Sequence, residues 1–316
     1  MKILLSDCGT LKQNNDLKID CFEKYGDVTY ALDITRDELL ATVYKYDIVL
    51  CNKTVIDKEV IEKAKNLKYI GIFATGYNNI DIAAAKRHGI TVCNAGSYST
   101  SAVAQQVFAY ILEHYNSVSK YNDFVLKGGW QKSPTFSAIC FLTEELQNKT
   151  IGIIGYGSIG RRVAEIALAF EMSVLVHTRT LKSDNRVKFV SFEELLKHSD
   201  IITAHCPLNT ESREMFNANT FSKMRDGAFF INTARGGIVN ETDLYNALKS
   251  GKLSGAATDV LTIEPMSRDC VLINAPNIII TPHTAWGPLD TRKRLVAIVE
   301  DNLASYLKGT PKNTVF

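Results

Sequence analysis

Three side chains late in the sequence have the types needed for one piece of chemistry. "FFINTARGGIVN" sets Arg235 just after an apolar run and before a glycine pair. "GAATDVLTIEP" sets Asp259 at the end of a second run with Glu264 just beyond it, and "NIIITPHTAW" sets His283 after a third. An imidazole exchanges protons near neutral pH, so His283 can give one to an oxygen that is gaining charge. A carboxylate on the far ring nitrogen would favour the protonated ring and fix its orientation, a part that suits Glu264. A guanidinium can grip a carboxylate through two hydrogen bonds and polarise the neighbouring carbonyl, a part that suits Arg235. Together the three fit reduction of a 2-keto acid, in which a hydride reaches C2 and His283 protonates the emerging alkoxide. Singly, each has a plain alternative: a surface ion pair, a loop carboxylate, a strand-end residue.

A hydride needs a donor, and a glycine loop upstream implies one. "TIGIIGYGSIGRRVAEIALAF" carries G-x-G-x-x-G at Gly155, Gly157 and Gly160. The motif follows the apolar run Ile151 to Ile154 and opens a segment with helical spacing at Val163, Ile166 and Ala167. In that context it is a dinucleotide fingerprint: a tight turn, close backbone approach to a pyrophosphate, and close packing of helix on strand. An NAD site normally ends the next strand with Asp or Glu, but "SVLVHTRT" offers His177, Thr178, Arg179 and Thr180. Arginine beside hydroxyls suits a 2′-phosphate, so NADPH is expected to be used and favoured over NADH. Stacking of Arg179 on adenine in an NADH enzyme is the other reading.

These residues need strands to position them. Runs such as "KILLS", "DVTYA", "DIVLCN", "LKYIGIFA" and "ITVCN" alternate with helix-like sequence, beginning with a polar helix-like stretch after "KILLS" and including "IDKEVIEKAKN" and "IDIAAAKRHG". A long helix-like segment, "STSAVAQQVFAYILEHYNSVSKY", leads to a second series, "TIGIIG", "MSVLVHT", "VKFVS", "DIITAHC", "GAFFINTA", "LSGAATDV" and "NIIITPH". Alternation of this kind predicts α/β folding with parallel sheets covered on both faces. Residues 120–148 read as an extended, irregular arm, and "PLDTRKRLVAIVEDNLASYLKG" as one amphipathic helix. Ligands of open parallel sheets bind outside the carboxyl ends of the strands, where Arg235, Glu264 and His283 fall.

Composition narrows the class. A chain of 316 residues fits two domains. Its 36 basic residues are matched by 34 acidic ones without a basic run, which disfavours nucleic acid as a partner. Cys8, Cys21, Cys51, Cys93, Cys140, Cys206 and Cys270 form no C-x-x-C pair, so neither a metal site nor a disulfide framework is expected, and reduced thiols point to the cytoplasm. The apolar start "MKILL" is too short for a signal peptide and reads as a buried strand. No apolar stretch reaches the roughly 20 residues that span a bilayer, so no membrane association is expected.

The motifs "IGIIGYGSIG", "HCPLNTES", "INTARGGIVNETDL", "ATDVLTIEP" and "ITPHTAW" resemble, in order, those of the D-isomer-specific 2-hydroxyacid dehydrogenases, and the likeness covers nearly the whole chain. It implies two doubly wound parallel-sheet α/β domains. A Rossmann dinucleotide-binding domain (98–286) would be inserted in a flavodoxin-like substrate domain (1–97 with 287–316), with the active site in the cleft and a homodimer joined by the cofactor domains. It implies that Arg235 binds substrate, Glu264 partners His283 and His283 donates the proton. Asp259 would bind the nicotinamide carboxamide, and the backbone around Ser158, Ile159, Cys206, Pro207, Thr233 and Ala234 would line the cofactor. "FATGYNNID" resembles the family's substrate loop, assigning Thr75, Gly76 and Tyr77 to the substrate, and "SYSTSAVAQQVFAYIL" its crossover helix. Departures are Gln105 and Gln106, where an acid and a histidine are common, and Asn240, where aspartate is common. Trp286 after the histidine, with "YSTSAVAQ", is most similar to the glycerate dehydrogenase (hydroxypyruvate reductase) branch, so hydroxypyruvate and glyoxylate are the expected substrates. The short tail after the last helix leads us to expect no regulatory module of the phosphoglycerate type. D-lactate dehydrogenase is the alternative enzyme, and an NAD(H)-sensing corepressor the alternative of another class.

Overall fold

Runs of Ile, Val, Leu and Phe that are apolar at every position can be buried only where a sheet is covered on both faces. Here they form parallel strands in two sheets of a computed structural model, which describes residues 1–12, 16–180 and 182–316. The chain separates into two compact units, residues 1–99 with 287–316, and residues 100–286.

In the first unit the strands are β1 (Lys2–Leu5), β2 (Asp27–Tyr30), β3 (Ile48–Cys51), β4 (Tyr69–Ile72) and β5 (Thr91–Cys93), in spatial order β2-β1-β3-β4-β5. That order is flavodoxin-like. One face carries Leu4, Val49, Ile70 and Val92 against Leu39, Val60, Ile61 and Ala84 from three short helices. On the other face the Tyr69 ring packs on Tyr306 of the helix Leu289–Leu307, with ring centres 4.7 Å apart. The helix-like stretch expected after β1 is not α-helical among the described residues. It holds only 3₁₀ turns at Cys8–Thr10 and Asp20–Tyr25, because Asn, Asp and Gly there favour local turns and no apolar stripe repays helix nucleation.

In the second unit follow β6 (Thr150–Ile154), β7 (Ser173–His177), β8 (Lys188–Phe189), β9 (Ile201–Ala204), β10 (Ala228–Asn232), β11 (Leu253–Thr258) and β12 (Ile278–Ile280). Their order is β12-β11-β10-β9-β6-β7-β8, so the winding reverses between β6 and β9, the switch point where doubly wound sheets take ligands. Ile151, Ile153, Val176 and Phe229 face the helices Thr100–Asn116 and Ser158–Ala169, while Ile202, Phe230 and Ala256 face Leu195, Phe216, Phe221 and Leu248. The long helix expected to run to Tyr121 ends at Asn116, where Ser117 turns left-handed (φ 51°), and a second helix covers Val118–Leu126. Residues 120–148 are therefore irregular only beyond that helix, apart from a 3₁₀ turn at Trp130–Lys132.

One histidine in this core makes stability depend on pH. His114 stacks on Phe229 at 4.0 Å between ring centres and bonds Ser254 Oγ at 3.1 Å, and burial lowers its pKa from 6.5 to about 4. Between those values the unfolded chain takes up a proton that the folded chain refuses, so stability is intact above about pH 6.5 and declines as pH falls toward 4. We predict that the thermal midpoint of His114→Leu falls less over this interval than that of the parent. Parallel curves from scanning calorimetry would contradict the assignment.

Candidate active site

Because β10, β11 and β12 are neighbouring parallel strands in register, with Asn232 beside Thr258 and Thr258 beside Ile280, the loops that follow them start side by side. Those loops carry Arg235, Glu264 and His283. His283 Nδ1 lies 2.7 Å from Glu264 Oε2, and Glu264 Oε1 accepts the Leu261 N–H at 2.9 Å. The pair is partly open, with side chains 25% and 35% exposed, which leaves the ring reachable. With Nδ1 engaged by the carboxylate, Nε2 is the ring atom left for a reactant.

The turn that holds His283 is organised by Asp259, which is buried. Its carboxylate accepts the N–H groups of Thr284 and Ala285, each at 2.9 Å, and the Thr281 hydroxyl, which also meets Tyr110 Oη. Its carbonyl accepts the His283 N–H at 2.8 Å. Three of the carboxylate's roughly four acceptor positions are thus taken, so about one remains for the carboxamide role that resemblance assigned to it.

The Arg235 loop is tied to the same place. Asn232 Nδ2 donates to Arg235 O at 2.9 Å and Asn232 Oδ1 accepts the Ala234 N–H at 3.0 Å, while Arg235 itself is half-buried with Nη1 on Ala234 O at 2.7 Å. Gly236 lies against the Leu261 backbone so closely that a Cβ would come within 1.9 Å of its carbonyl carbon. Arg235 and the segment bearing Glu264 are thus locked together through main chain. Asn232, Gly236, Thr281 and Tyr110 were not singled out from the sequence; the only local signal was the glycine pair after Arg235.

The glycine loop follows β6 at the switch point. Gly155 sits at φ 94°, and a Cβ there would fall 2.7 Å from the His205 carbonyl. A Cβ on Gly160 would come within 2.1 Å of Gly155 O, whereas one on Gly157 would meet nothing within 4 Å. The helix Ser158–Ala169 begins after Gly157 without a side-chain cap, and Ser158 and Ile159 supply its first N–H groups. Open space before a helix N-terminus is what a pyrophosphate requires. In the loop after β10 the Thr233 hydroxyl is buried without a hydrogen-bond partner. Cys206 is half-buried after β9, its thiol pKa raised by burial, and Pro207 is exposed beside it. Thr178 is half-buried and Arg179 and Thr180 exposed after β7. These residues fit a dinucleotide. Among the described residues no group of three or more His, Cys, Asp or Glu side chains could hold a metal ion, and no helix is long and apolar enough to cross a membrane.

In the first unit, the loop after β4 is fixed by its own bonds. The Thr75 hydroxyl donates to Gly96 O, Asn94 Nδ2 donates to Thr75 O at 2.7 Å, and Asn79 Nδ2 donates to Thr54 O at 2.8 Å. Gly76 is half-buried and Tyr77 exposed. Trp286 is half-buried at the end of the second unit. Asn240 caps the helix Glu241–Lys249 by accepting the Asp243 N–H, a task it performs as well as an aspartate.

The model of the NAD binding domain of D-isomer specific 2-hydroxyacid dehydrogenases matches residues 108–285. The chain belongs to that family. It is an oxidoreductase of the D-2-hydroxyacid dehydrogenase type that takes a nicotinamide cofactor. A hydroxypyruvate reductase of Blautia hydrogenotrophica is 39% identical over 322 residues, covering 100% of this chain and 99% of the relative. A glycerate dehydrogenase of Methylorubrum extorquens is 35% identical, with 89% of each chain covered. An acyclic imino acid reductase solved in complex with NADPH and D-Arg superposes with a TM-score of 0.88 at 33% identity, covering 100% of both chains.

The close approach of Gly236 to Leu261 generates a test. Gly236→Ala forces the Arg235 and Glu264 segments of this dehydrogenase apart, and we expect a loss of about 1–3 kcal/mol of stability, the usual cost of overpacking, together with a fall in turnover. Urea unfolding and steady-state kinetics unchanged from the parent would refute the contact.

Proposed function

We propose that this enzyme reduces hydroxypyruvate, and glyoxylate as a second substrate, to the D-2-hydroxy acid with NAD(P)H. The observation that carries the proposal is the His283–Glu264 pair at the carboxyl edge of a dinucleotide-binding sheet, in a chain 39% identical to a hydroxypyruvate reductase along its whole length. The nicotinamide, when bound, supplies the hydride to C2. Arg235 holds the substrate carboxylate and polarises the keto oxygen, so negative charge develops beside a fixed guanidinium. His283 gives the proton on Nε2 to that oxygen, and Glu264 on Nδ1 stabilises the ring while it is charged and keeps it aimed. Thr75, Gly76, Tyr77 and Trp286 are retained as substrate-binding residues, and the loops bearing Thr178, Thr180, Cys206, Pro207, Thr233, Ala234 and Asp259 as cofactor-binding ones. Arg179 is read as the group that takes a 2′-phosphate, which favours NADPH over NADH. Seven free cysteines support a reducing, cytoplasmic setting.

We read the working form as a homodimer. Support comes from Phe136, Ile139 and Leu142, which are 91%, 85% and 85% exposed on one short segment of the second unit. Apolar side chains concentrated this way mark an association surface. Light scattering should give a dimer, and Phe136→Ser with Leu142→Ser should shift it toward monomer; a monomeric parent would end this reading.

His283→Ala should lower turnover by about 10²–10⁴-fold, the usual worth of general acid catalysis, while the dissociation constant for cofactor stays within about twofold. Arg235→Ala should raise KM for the keto acid and lower kcat together. Cofactor oxidation against a panel of 2-keto acids checks both. An active His283→Ala would remove the mechanism, and an inactive parent across the whole panel would favour a cofactor-sensing binding protein.

A further inference from the structure

The end of β7 lacks the acid that NAD sites usually place there, yet a carboxylate reaches the same spot from elsewhere. Glu211, in the loop after β9, bonds Arg179, in the loop after β7, at 3.1 Å. Strand β6 lies between β9 and β7, so the pair spans the carboxyl end of the strand that feeds the glycine loop. The loop under Glu211 is built firmly. Asn209 Oδ1 accepts the N–H groups of Glu211 and Ser212, each at 2.9 Å, and Ser212 Oγ donates to Pro207 O at 2.7 Å.

The charged groups that follow Arg179 in the same loop are engaged elsewhere. Lys182 Nζ donates to Tyr156 O within the glycine loop at 3.0 Å. Asp184 accepts Arg186 Nε at 2.9 Å, Arg186 Nη2 at 2.7 Å and the Tyr156 hydroxyl at 2.8 Å. Glu211 is thus the carboxylate that meets Arg179, and both side chains are 72% exposed. An ion pair so open adds little to folding, so its placement over the cofactor loop asks for another explanation.

We propose that Glu211 is a cofactor-selectivity residue, competing with the 2′-phosphate of NADPH for the Arg179 guanidinium and so holding the enzyme toward NADH. The inference rests on reading Arg179 as the phosphate-binding group. A phosphate monoester carries between one and two negative charges at neutral pH. To reach Arg179 it must displace the carboxylate, which then remains nearby as a like charge. With NADH the pair stays closed. The competition works against whatever preference Arg179 provides, and it makes use of both cofactors the natural outcome.

Glu211→Gln keeps the side-chain length and the backbone bonds to Asn209 while removing the charge. We expect the ratio of kcat/KM for NADPH to that for NADH to rise about three- to fivefold, the range open to an exposed, screened pair. The gain should shrink as ionic strength is raised, which a merely structural change would not show. Arg179→Ala is measured alongside. If Arg179→Ala selectively loses NADPH but Glu211→Gln leaves the ratio unchanged or lowers it, the Glu211 proposal is overturned and the reading of Arg179 stands. If Arg179→Ala loses both cofactors equally, the phosphate-binding reading falls and the competition with it.

Discussion

A buried carboxylate fixes the turn on which the chemistry depends. His283 occupies the left-handed region at φ 54°, which costs a non-glycine residue roughly 1–2 kcal/mol. Asp259 offsets this by binding Thr284 N, Ala285 N and the Thr281 hydroxyl with one carboxylate. Hydrogen bonds to a charged group contribute about 1.5–3 kcal/mol each, so three of them outweigh the strain. Since the Asp259 carbonyl also accepts the His283 N–H, the end of β11 sets the backbone of the residue that follows β12.

The rest of the second unit serves the same geometry. Parallel register brings the ends of β10, β11 and β12 level, and Gly236 presses the Arg235 loop onto Leu261, whose N–H holds Glu264. None of this needs a long side chain to find its partner across solvent. Arg235 and His283 lie three residues beyond a strand end and Glu264 six, each tied back by a hydrogen bond, so less conformational entropy is left to lose when a reactant arrives. Toward β6 the design is the reverse: space at Gly157, before a helix start that has no side-chain cap from that residue, leaves room for an anion.

Most of the strand framework was legible in the sequence because strands buried on both faces must be apolar throughout, and "TIGIIG" and "GAFFINTA" are runs of that kind. The candidate residues Arg235, Glu264 and His283 stood out for a related reason, since each comes soon after a strand-like run, and the structure brings Glu264 onto His283. What escaped was how distant side chains position the loops around those residues. Asp259 holds residues 25 and 26 positions away, and Glu211 meets an arginine 32 positions before it. Spacing carries no trace of such meetings. The 3₁₀ turns between β1 and β2 and the break at Ser117 were missed because polar segments without an apolar stripe leave helix and turn undecided.

On the proposed mechanism His283 faces the oxygen of a carboxylate-anchored keto acid and the nicotinamide delivers hydride to one face of the carbonyl, the face that gives the D isomer for which the family is specific. Chiral analysis of the glycerate formed from hydroxypyruvate tests that directly. The account predicts the D enantiomer alone; L-glycerate, or a racemic product, would contradict it.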